Sequence, residues 1–166
     1  DGKPVVTPTQ DMVIGLYYLT YMSQEDWDKE SPKAFRDPDE ARMAYDTKVI
    51  TLHEKIRVKM PLPIMTGKEL LKSHGKQEFK EEIAETSVGR LIFNDIIPKS
   101  LGFYNQVIDK KQLGELVYEC YRLEGNAKTA AMLDGIKRLG YQFGTRAGIS
   151  VGVTDFKTPK AKADIL

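Results

Sequence analysis

Cysteine and histidine are scarce in this chain of 166 residues, which contains one cysteine and two histidines. Cys120 cannot form an internal disulfide, so the sequence predicts a reducing, cytoplasmic compartment. A structural zinc site needs four ligands, most of them clustered Cys and His side chains. Because His53 and His74 are isolated in the sequence, no metal site is predicted.

Net charge is also nearly absent, since 25 Lys and Arg against 24 Asp and Glu leave a formal charge of +1. A free-standing nucleic-acid-binding domain is usually more basic. Long apolar runs are missing too: the longest, residues 12–19, is interrupted by Gly15 and is shorter than the roughly 18 residues that span a membrane. No secretory leader is recognisable, so no membrane contact is predicted. The chain begins with Asp1 rather than Met, and we expect it to be processed or cut from something longer.

Signals for helix starts recur along the chain. Thr7 is predicted to cap the first helix, with Pro8 at its first position. Gln10 completes a capping box, and Asp11 suits the positive end of the helix dipole. This helix, residues 8–21, is apolar nearly all round, which predicts burial on more than one face. Further cap signals open helices after Asp37, Thr66 and Asp109.

Alternation of apolar and polar residues predicts strands. Residues 55–60 alternate and are expected to form a half-solvated strand that ends at Pro61 and Pro63. Residues 76–85 are ambiguous between strand and helix, and their place after a turn favours a strand returning to pair with 55–60. A helix is expected over 126–139, ending near Gly140, and another helical turn or two is expected to follow through Tyr141 and Phe143. The alternation of residues 148–153 predicts a short strand.

The predicted fold class is therefore α+β, mainly helical with one or two small antiparallel β pairs, because no regular βαβ alternation is present. We expect a single fragment, residues 1–166. It comprises a buried helix (1–22), a variable segment of helix and strand (23–86), a helical segment ending in a short strand (87–156) and a loose tail (157–166).

No self-contained active site emerges from the residues. Gly148, Ser150 and Gly152 form Gly-x-Ser-x-Gly, but a nucleophile elbow needs a strand before the serine, a helix after it and a histidine partner. Cys120 lies on the apolar face of its helix, which favours a buried small hydrophobe over a nucleophile. The scattered Lys and Arg residues are typical of a helix surface, although they are also able to contact phosphates.

Three segments resemble the β′ subunit of bacterial RNA polymerase. Residues 4–20, Pro-Val-Val-Thr-Pro-Thr-Gln-Asp-Met-Val-Ile-Gly-Leu-Tyr-Tyr-Leu-Thr, are similar to the family segment just downstream of the metal-binding Asn-Ala-Asp-Phe-Asp-Gly-Asp motif. Residues 86–94, Thr-Ser-Val-Gly-Arg-Leu-Ile-Phe-Asn, resemble the next family block. Residues 139–155, Leu-Gly-Tyr-Gln-Phe-Gly-Thr-Arg-Ala-Gly-Ile-Ser-Val-Gly-Val-Thr-Asp, resemble the block that leads into the rim helices of the secondary channel. They occur in the family's order.

The resemblance implies a structural role in a nucleotidyltransferase. This part of the family builds the floor and wall of the secondary channel, where nucleotides enter and backtracked RNA 3′ ends exit. The implied partners are the β, α and ω subunits, the rest of β′, nucleotides, RNA and transcript-cleavage factors. The parent enzyme implies Mg²⁺, but no cofactor and no catalytic residue are expected in this chain, because the metal-binding aspartates and the trigger loop and bridge helix lie outside it.

The family blocks also supply candidate residues. Those implied to line the pore or the nucleotide path are Gln10, Asp11 and Arg146. Those implied to be structural motif positions are Thr7, Pro8, Gly89, Arg90, Gly148, Gly152 and Asp155. A bland alternative for Arg146 is an ion pair with Asp155 that fastens the predicted strand to its helix.

The match is loose over residues 20–85, and residues 68–82 read as lineage-specific. In some bacteria a guanosine tetraphosphate site uses a lysine and a tyrosine on the helix corresponding to 126–139. Asp134 fits that pattern, but Ala127 and Arg138 occupy the lysine and tyrosine positions, so the site is not carried over.

Two other classes of function compete with the polymerase. One is an independent helical protein-interaction module, and the other is a small hydrolase that uses Ser150. A reading frame extending upstream through the metal-binding aspartate motif favours the polymerase, whereas a start codon just before Asp1 favours the module. Esterase activity lost in Ser150→Ala would favour the hydrolase.

Overall fold

The computed structural model describes residues 9–154, and for 149–154 the backbone path only. Helices, strands and one short 3-10 turn alternate along the chain. In order they are α1 (Gln10–Thr20), α2 (Gln24–Trp27), β1 (Lys33–Phe35), α3 (Pro38–Asp46), β2 (Ile56–Pro63), α4 (Gly67–Ser73), β3 (Phe79–Thr86), α5 (Val88–Asp95), the 3-10 turn (Lys99–Leu101), α6 (Lys110–Glu124) and α7 (Asn126–Thr154). The predicted fold class, α+β and mainly helical, is confirmed.

Side-chain caps start most of these helices. Asp37, Thr66 and Asp109 each accept a hydrogen bond from the backbone N–H three residues on, as the sequence predicts. The first helix differs, because its cap is Thr9, whose hydroxyl accepts from Met12 N at 3.4 Å. Thr9 has extended dihedrals, so the helix begins at Gln10 rather than at Pro8. Thr7 and Pro8 lie outside the described residues; local pattern alone did not decide between two threonines with equal capping chemistry.

The three strands form one small mixed sheet in the order β1-β2-β3. The predicted antiparallel return is confirmed, since β3 pairs with β2 from Ile56↔Thr86 to Pro63↔Phe79. β1, however, pairs with β2 in parallel, and only along Ile56–Val58. The strand passes through Pro61 and ends at Pro63, so the prediction that the prolines end it is wrong for Pro61 and confirmed for Pro63. Beyond Val58 β2 has a described neighbour on one side only, and proline is tolerated in such edge positions.

Helix α7 is 29 residues long, and here the sequence prediction is wrong in two respects. The helix does not end near Gly140, and residues 148–153 are helical rather than a strand. Once a helix is nucleated, each further residue adds one backbone hydrogen bond, so extension outweighs a short alternating pattern. Gly140 and Gly144 lie in the middle of α7, where their lack of a side chain lets the backbone of α1 pack directly against the backbone of α7.

The hydrophobic core is shared by α1, α5, α6 and α7, with the inner face of the sheet beside it. Leu16 and Leu19 of α1 are fully buried, and α1 packs most extensively on α7 and also on α5. On α6 the predicted apolar stripe is buried, namely Leu113, Leu116, Val117 and Cys120. The core therefore fixes α1, α5 and α7, the three elements that carry the family-like blocks.

Candidate functional site

A buried arginine joins the first two family-like blocks. Arg90 on α5 is 5% exposed. Its Nε donates to the carbonyl of Thr20 at 2.9 Å, and its Nη1 donates to the backbone and side-chain oxygens of Asn105 at 3.1 and 3.2 Å. Burial lowers the pKa of Arg90 to about 10, which still leaves the guanidinium charged at neutral pH. Arg90 thus fastens the end of α1 to the loop before α6 and has a structural environment.

The neighbouring Gly89 permits a close contact between two helices. A Cβ at this position would lie 1.9 Å from the carbonyl oxygen of Leu19, which no packing adjustment of a side chain relieves. The N–H of Gly89 donates to Leu52 O at 3.1 Å. The start of α5 therefore rests on the end of α1 because this residue has no side chain.

The first and third family-like blocks meet through glycines. A Cβ on Gly15 of α1 would lie 2.0 Å from the carbonyl oxygen of Gly140 on α7, and one on Gly144 would lie 3.2 Å from the carbonyl oxygen of Asp11. Gln10 and Asp11 themselves are exposed at the start of α1. The structure thus places two of the three pore candidates on a solvent-facing helix end that is held against α7.

Arg146, the third pore candidate, is exposed on α7. Its Nη1 donates to the hydroxyl of Tyr45 at 2.9 Å, and its guanidinium lies 4.9 Å from the centre of the Phe143 ring. Tyr45 is at the end of α3, 101 residues away, so sequence reasoning missed this contact. The alternative partner, Asp155, lies outside the described residues. Among the described side chains no hydrogen bond or ion pair links Arg146 to Gln10 or Asp11.

Packing gives less support for a structural role of Gly148 and Gly152, the motif glycines near the end of α7. A Cβ on Gly148 would meet nothing within 4 Å among the described residues, so packing does not explain why this motif position is a glycine. Gly152 and Ser150 lie within α7, and the strand on which their roles were argued is absent. A nucleophile elbow needs a strand running into the serine. The helical path through Ser150 does not provide one.

A cleft that the sequence analysis did not find lies between the β2–α4 connection and the loop after the 3-10 turn. Its volume is about 430 Å³, and Glu119 of α6 lines it together with Tyr104 and Lys68. Glu119 is 8% exposed, and its Oε1 accepts from the Tyr104 hydroxyl at 3.0 Å. Burial raises the pKa of the Glu119 carboxyl. The sequence feature that indicates burial of Glu119 is its position three residues after Leu116, next to the apolar stripe of α6.

The described residues contain neither a metal-binding cluster nor a membrane-spanning helix. Over residues 9–154, three or more His, Cys, Asp or Glu side chains never gather in a group that would hold a metal ion. Within that range no helix has both the length and the apolar character needed to cross a bilayer. Cys120 is fully buried, and burial raises the pKa of its thiol, which disfavours the reactive thiolate.

Comparison with known proteins extends over the whole chain. The family model described as RNA polymerase Rpb1, domain 3, matches residues 1–156. The DNA-directed RNA polymerase subunit beta′ of Syntrophomonas wolfei subsp. wolfei is 71% identical over 166 residues, which are 100% of this chain and 14% of that protein. The corresponding subunits of Heliobacterium modesticaldum and Pelotomaculum thermopropionicum are 48% and 46% identical over all of this chain, covering 14% and 12% of their lengths.

The resemblance drawn from three sequence segments is confirmed by these matches. The chain spans about one seventh of the length of the curated relatives it matches, 14% of the first of them. The matched region includes α1, α5 and α7. Gly15 brings α1 against α7, and Gly89 and Arg90 bring α5 against α1. The chain belongs to the RNA polymerase Rpb1, domain 3 family and is homologous to a segment of bacterial RNA polymerase β′ subunits.

Proposed function

We propose that this chain is a structural part of the β′ subunit of a DNA-directed RNA polymerase and forms the floor and wall of the secondary channel. The observation that carries the proposal is the 71% identity to a β′ subunit over all 166 residues. Identity over the full length favours a polymerase segment over an independent interaction module. The helical path through Ser150 leaves the hydrolase interpretation without its elbow.

The geometry suits a scaffold. Buried Arg90 and backbone-to-backbone contacts at Gly15 and Gly89 fix three helices against one another without long flexible side chains. Such contacts hold a wall in place because close-packed interiors resist small displacements. Under the proposal the exposed ends of these helices, including Gln10 and Asp11, face the nucleotide path.

Nucleotidyl transfer in polymerases uses two metal ions held by carboxylates, and the parent enzyme would use Mg²⁺. Residues 9–154 do not fit such a centre, because they contain no group of three or more metal-ligating side chains. The chain would therefore support a metal centre built elsewhere in the subunit. Its partners would be the rest of β′, the β, α and ω subunits, entering nucleotides, the RNA 3′ end and transcript-cleavage factors, all in the cytoplasm.

Arg146 is the residue through which the channel role is tested. Its guanidinium is positioned by Tyr45 and by the Phe143 ring, yet the side chain is exposed, and among residues 9–148 its other N–H groups make no hydrogen bond. A guanidinium stays charged and presents a planar fork of donors that matches phosphate oxygens. A fixed cation on a channel wall also raises the local concentration of anions. We propose that Arg146 holds the phosphates of a passing nucleotide or RNA end.

The test compares Arg146→Ala with Tyr45→Phe in a reconstituted polymerase. Tyr45→Phe removes the hydroxyl that accepts from Arg146 and keeps the cation. If Arg146 binds phosphate, Arg146→Ala raises the apparent KM for nucleotides or slows factor-stimulated RNA cleavage, most strongly at low salt because screening weakens exposed charges. Tyr45→Phe then has a much smaller effect.

The opposite pattern contradicts the channel role. If Arg146 only fastens α7 to α3, both variants lower assembly or thermal stability alike, and the surviving enzyme keeps its nucleotide dependence. An Arg146→Ala polymerase that assembles normally and shows unchanged KM and cleavage at low salt also refutes the proposal for this residue.

A further inference from the structure

The cleft beside Glu119 has the size and lining of a ligand site. Its volume of about 430 Å³ lies within the roughly 300–1,000 Å³ of ordinary small-molecule pockets. Two connections form its walls, residues 62–66 and residues 101–106. The large apolar side chains of the lining are Leu62, Pro63, Ile64, Met65, Leu101 and Phe103. An apolar wall with a few convergent polar groups is the usual composition of such a pocket.

Glu119 is incompletely satisfied. Oε1 accepts from the hydroxyl of Tyr104, whereas no donor among the described residues reaches Oε2. Oε2 is not sealed from solvent. Because Glu119 lines the cleft and is otherwise buried, Oε2 reaches solvent through the cleft. An ionised carboxylate has about four acceptor positions, so most of them are open to a ligand.

Gly67 makes room for this carboxylate. A Cβ at Gly67, the first residue of α4, would lie 2.6 Å from Oε1 of Glu119. The carboxyl group of Glu119 therefore lies against the start of α4 as well as against the Tyr104 hydroxyl. A fixed, partly desolvated carboxylate binds a cationic donor more strongly than an exposed one does.

The charges around Glu119 favour a cation as the ligand. Burial raises the pKa of its carboxyl, the hydrogen bond from Tyr104 and the charge of Lys68 lower it, and the charge of Glu115 raises it. Lys68 is exposed, and no hydrogen bond or ion pair joins it to Glu119 among the described residues. A positive group donating to Oε2 would offset the burial by stabilising the charged form. An anion would meet the buried carboxylate and gain only the exposed ammonium of Lys68.

We propose that this cleft binds a small amine or guanidine with an apolar body. The cationic group donates to Glu119, and the body packs against the wall formed by Ile64, Met65 and Phe103. This site lies apart from Arg146 and the α1–α7 contact, and it does not depend on the proposed channel role.

Photoaffinity labelling of the complete subunit in its native assembly tests the proposal. The probe is benzylamine carrying a trifluoromethyl-diazirine, and labelled peptides are mapped by mass spectrometry. We expect saturable labelling within residues 62–66 and 101–106. Unlabelled phenethylamine should compete, and the competition curve gives its dissociation constant.

Three substitutions separate the contributions of the charges. Glu119→Gln should weaken phenethylamine binding by at least about tenfold, because it removes a charge-assisted hydrogen bond. Lys68→Gln should strengthen binding by up to about fivefold, since it removes an exposed like charge. Glu115→Gln, the matched control one helical turn from Glu119, should weaken binding by less than about fivefold. Ile64→Lys should block the cleft without disturbing the core, because Ile64 is 60% exposed.

Several results would overturn the proposal. One is the absence of labelling in the two wall segments of the assembled protein. Another is labelling that neither Glu119→Gln nor Ile64→Lys reduces while thermal stability is retained. A third is preferential binding of phenylacetate, the anionic counterpart, with loss of that binding in Lys68→Gln. If Glu119→Gln fails to assemble, the Ile64→Lys and Lys68→Gln results still decide the matter.

Discussion

Replacing Gly15 by alanine tests the packing that holds α1 to α7. A Cβ there would lie 2.0 Å from the carbonyl oxygen of Gly140 and 2.7 Å from the backbone nitrogen of Gly144. The shortest ordinary carbon–oxygen contact is about 3.3 Å, so the two helices would have to separate by about 1.3 Å. Both atoms belong to the backbone of a helix, and no rotamer change relieves the clash.

The expected loss follows from that separation. A gap of 0.5–1 Å already removes about a quarter to a half of a dispersion contact, and overpacking in a core costs about 1–3 kcal/mol or more. The helix propensity of alanine returns about 1 kcal/mol. Since α1 and α7 share a core in which Leu16 and Phe143 are almost completely buried, the cost should lie at the upper end of that range, and we expect a net destabilisation of about 2 kcal/mol.

Gly114→Ala is the matched control. Gly114 is within α6, it is exposed, and a Cβ there would find nothing within 4 Å. The same substitution should therefore stabilise the chain by about 1 kcal/mol through helix propensity alone. The assays are urea unfolding and thermal unfolding of the 166-residue chain, both followed by far-UV circular dichroism. At about 2–4 °C per kcal/mol, melting temperatures should move in opposite directions, down by about 4–8 °C for Gly15→Ala and up by about 2–4 °C for Gly114→Ala.

The reasoning is refuted if Gly15→Ala and Gly114→Ala change the free energy of unfolding by the same amount. It is also refuted if Gly15→Ala stabilises the chain with an unchanged urea m-value. That result would mean that α1 and α7 have room for a side chain at their contact.

Two further substitutions test other contacts. Gly89→Ala should destabilise the chain by about 2 kcal/mol or more, because the added Cβ would lie 1.9 Å from a backbone oxygen of α1. Gly148→Ala is the control and should be neutral or stabilising, because nothing among the described residues lies within 4 Å of its Cβ. Equal urea midpoints for the two variants would contradict this prediction. Burial lowers the pKa of His53 below 6.5, although its Nε2 donates to Tyr18 O at 2.6 Å. The folded state therefore resists protonation, so this contribution to stability is present above pH 6.5 and is lost as the pH falls toward the lowered pKa. His53→Gln should flatten the fall in stability that begins as the pH drops below about 6.5, and His74→Gln, at an exposed turn, is the matched control. An unchanged slope in His53→Gln would show that another group is responsible.

Much of the local structure followed from the sequence by itself, because the signals concerned act over a few residues. The caps at Asp37, Thr66 and Asp109 satisfy N–H groups three residues away, and any chain conformation that forms the helix brings them together. The apolar stripe of α6 likewise follows from helical periodicity. The family was also recognisable from sequence, since three ordered blocks of residues carried the resemblance that the comparisons confirm.

The tertiary structure decided what depends on residues far apart in the chain. Residues 148–153 continue a long helix whose Gly140 and Gly144 lie against α1, and a six-residue alternation does not reveal that the helix continues. β2 continues through Pro61 to Pro63 because β1 is too short to pair with that part of it.

The candidate sites show the same division. Arg146 meets Tyr45 from 101 residues away, and Glu119 meets Tyr104 and Gly67 only because three separate elements converge. Local pattern identifies which residues are able to form a cap, a strand or a stripe. The free energy of packing determines which of those possibilities coexist, and it acts between residues that the sequence keeps apart.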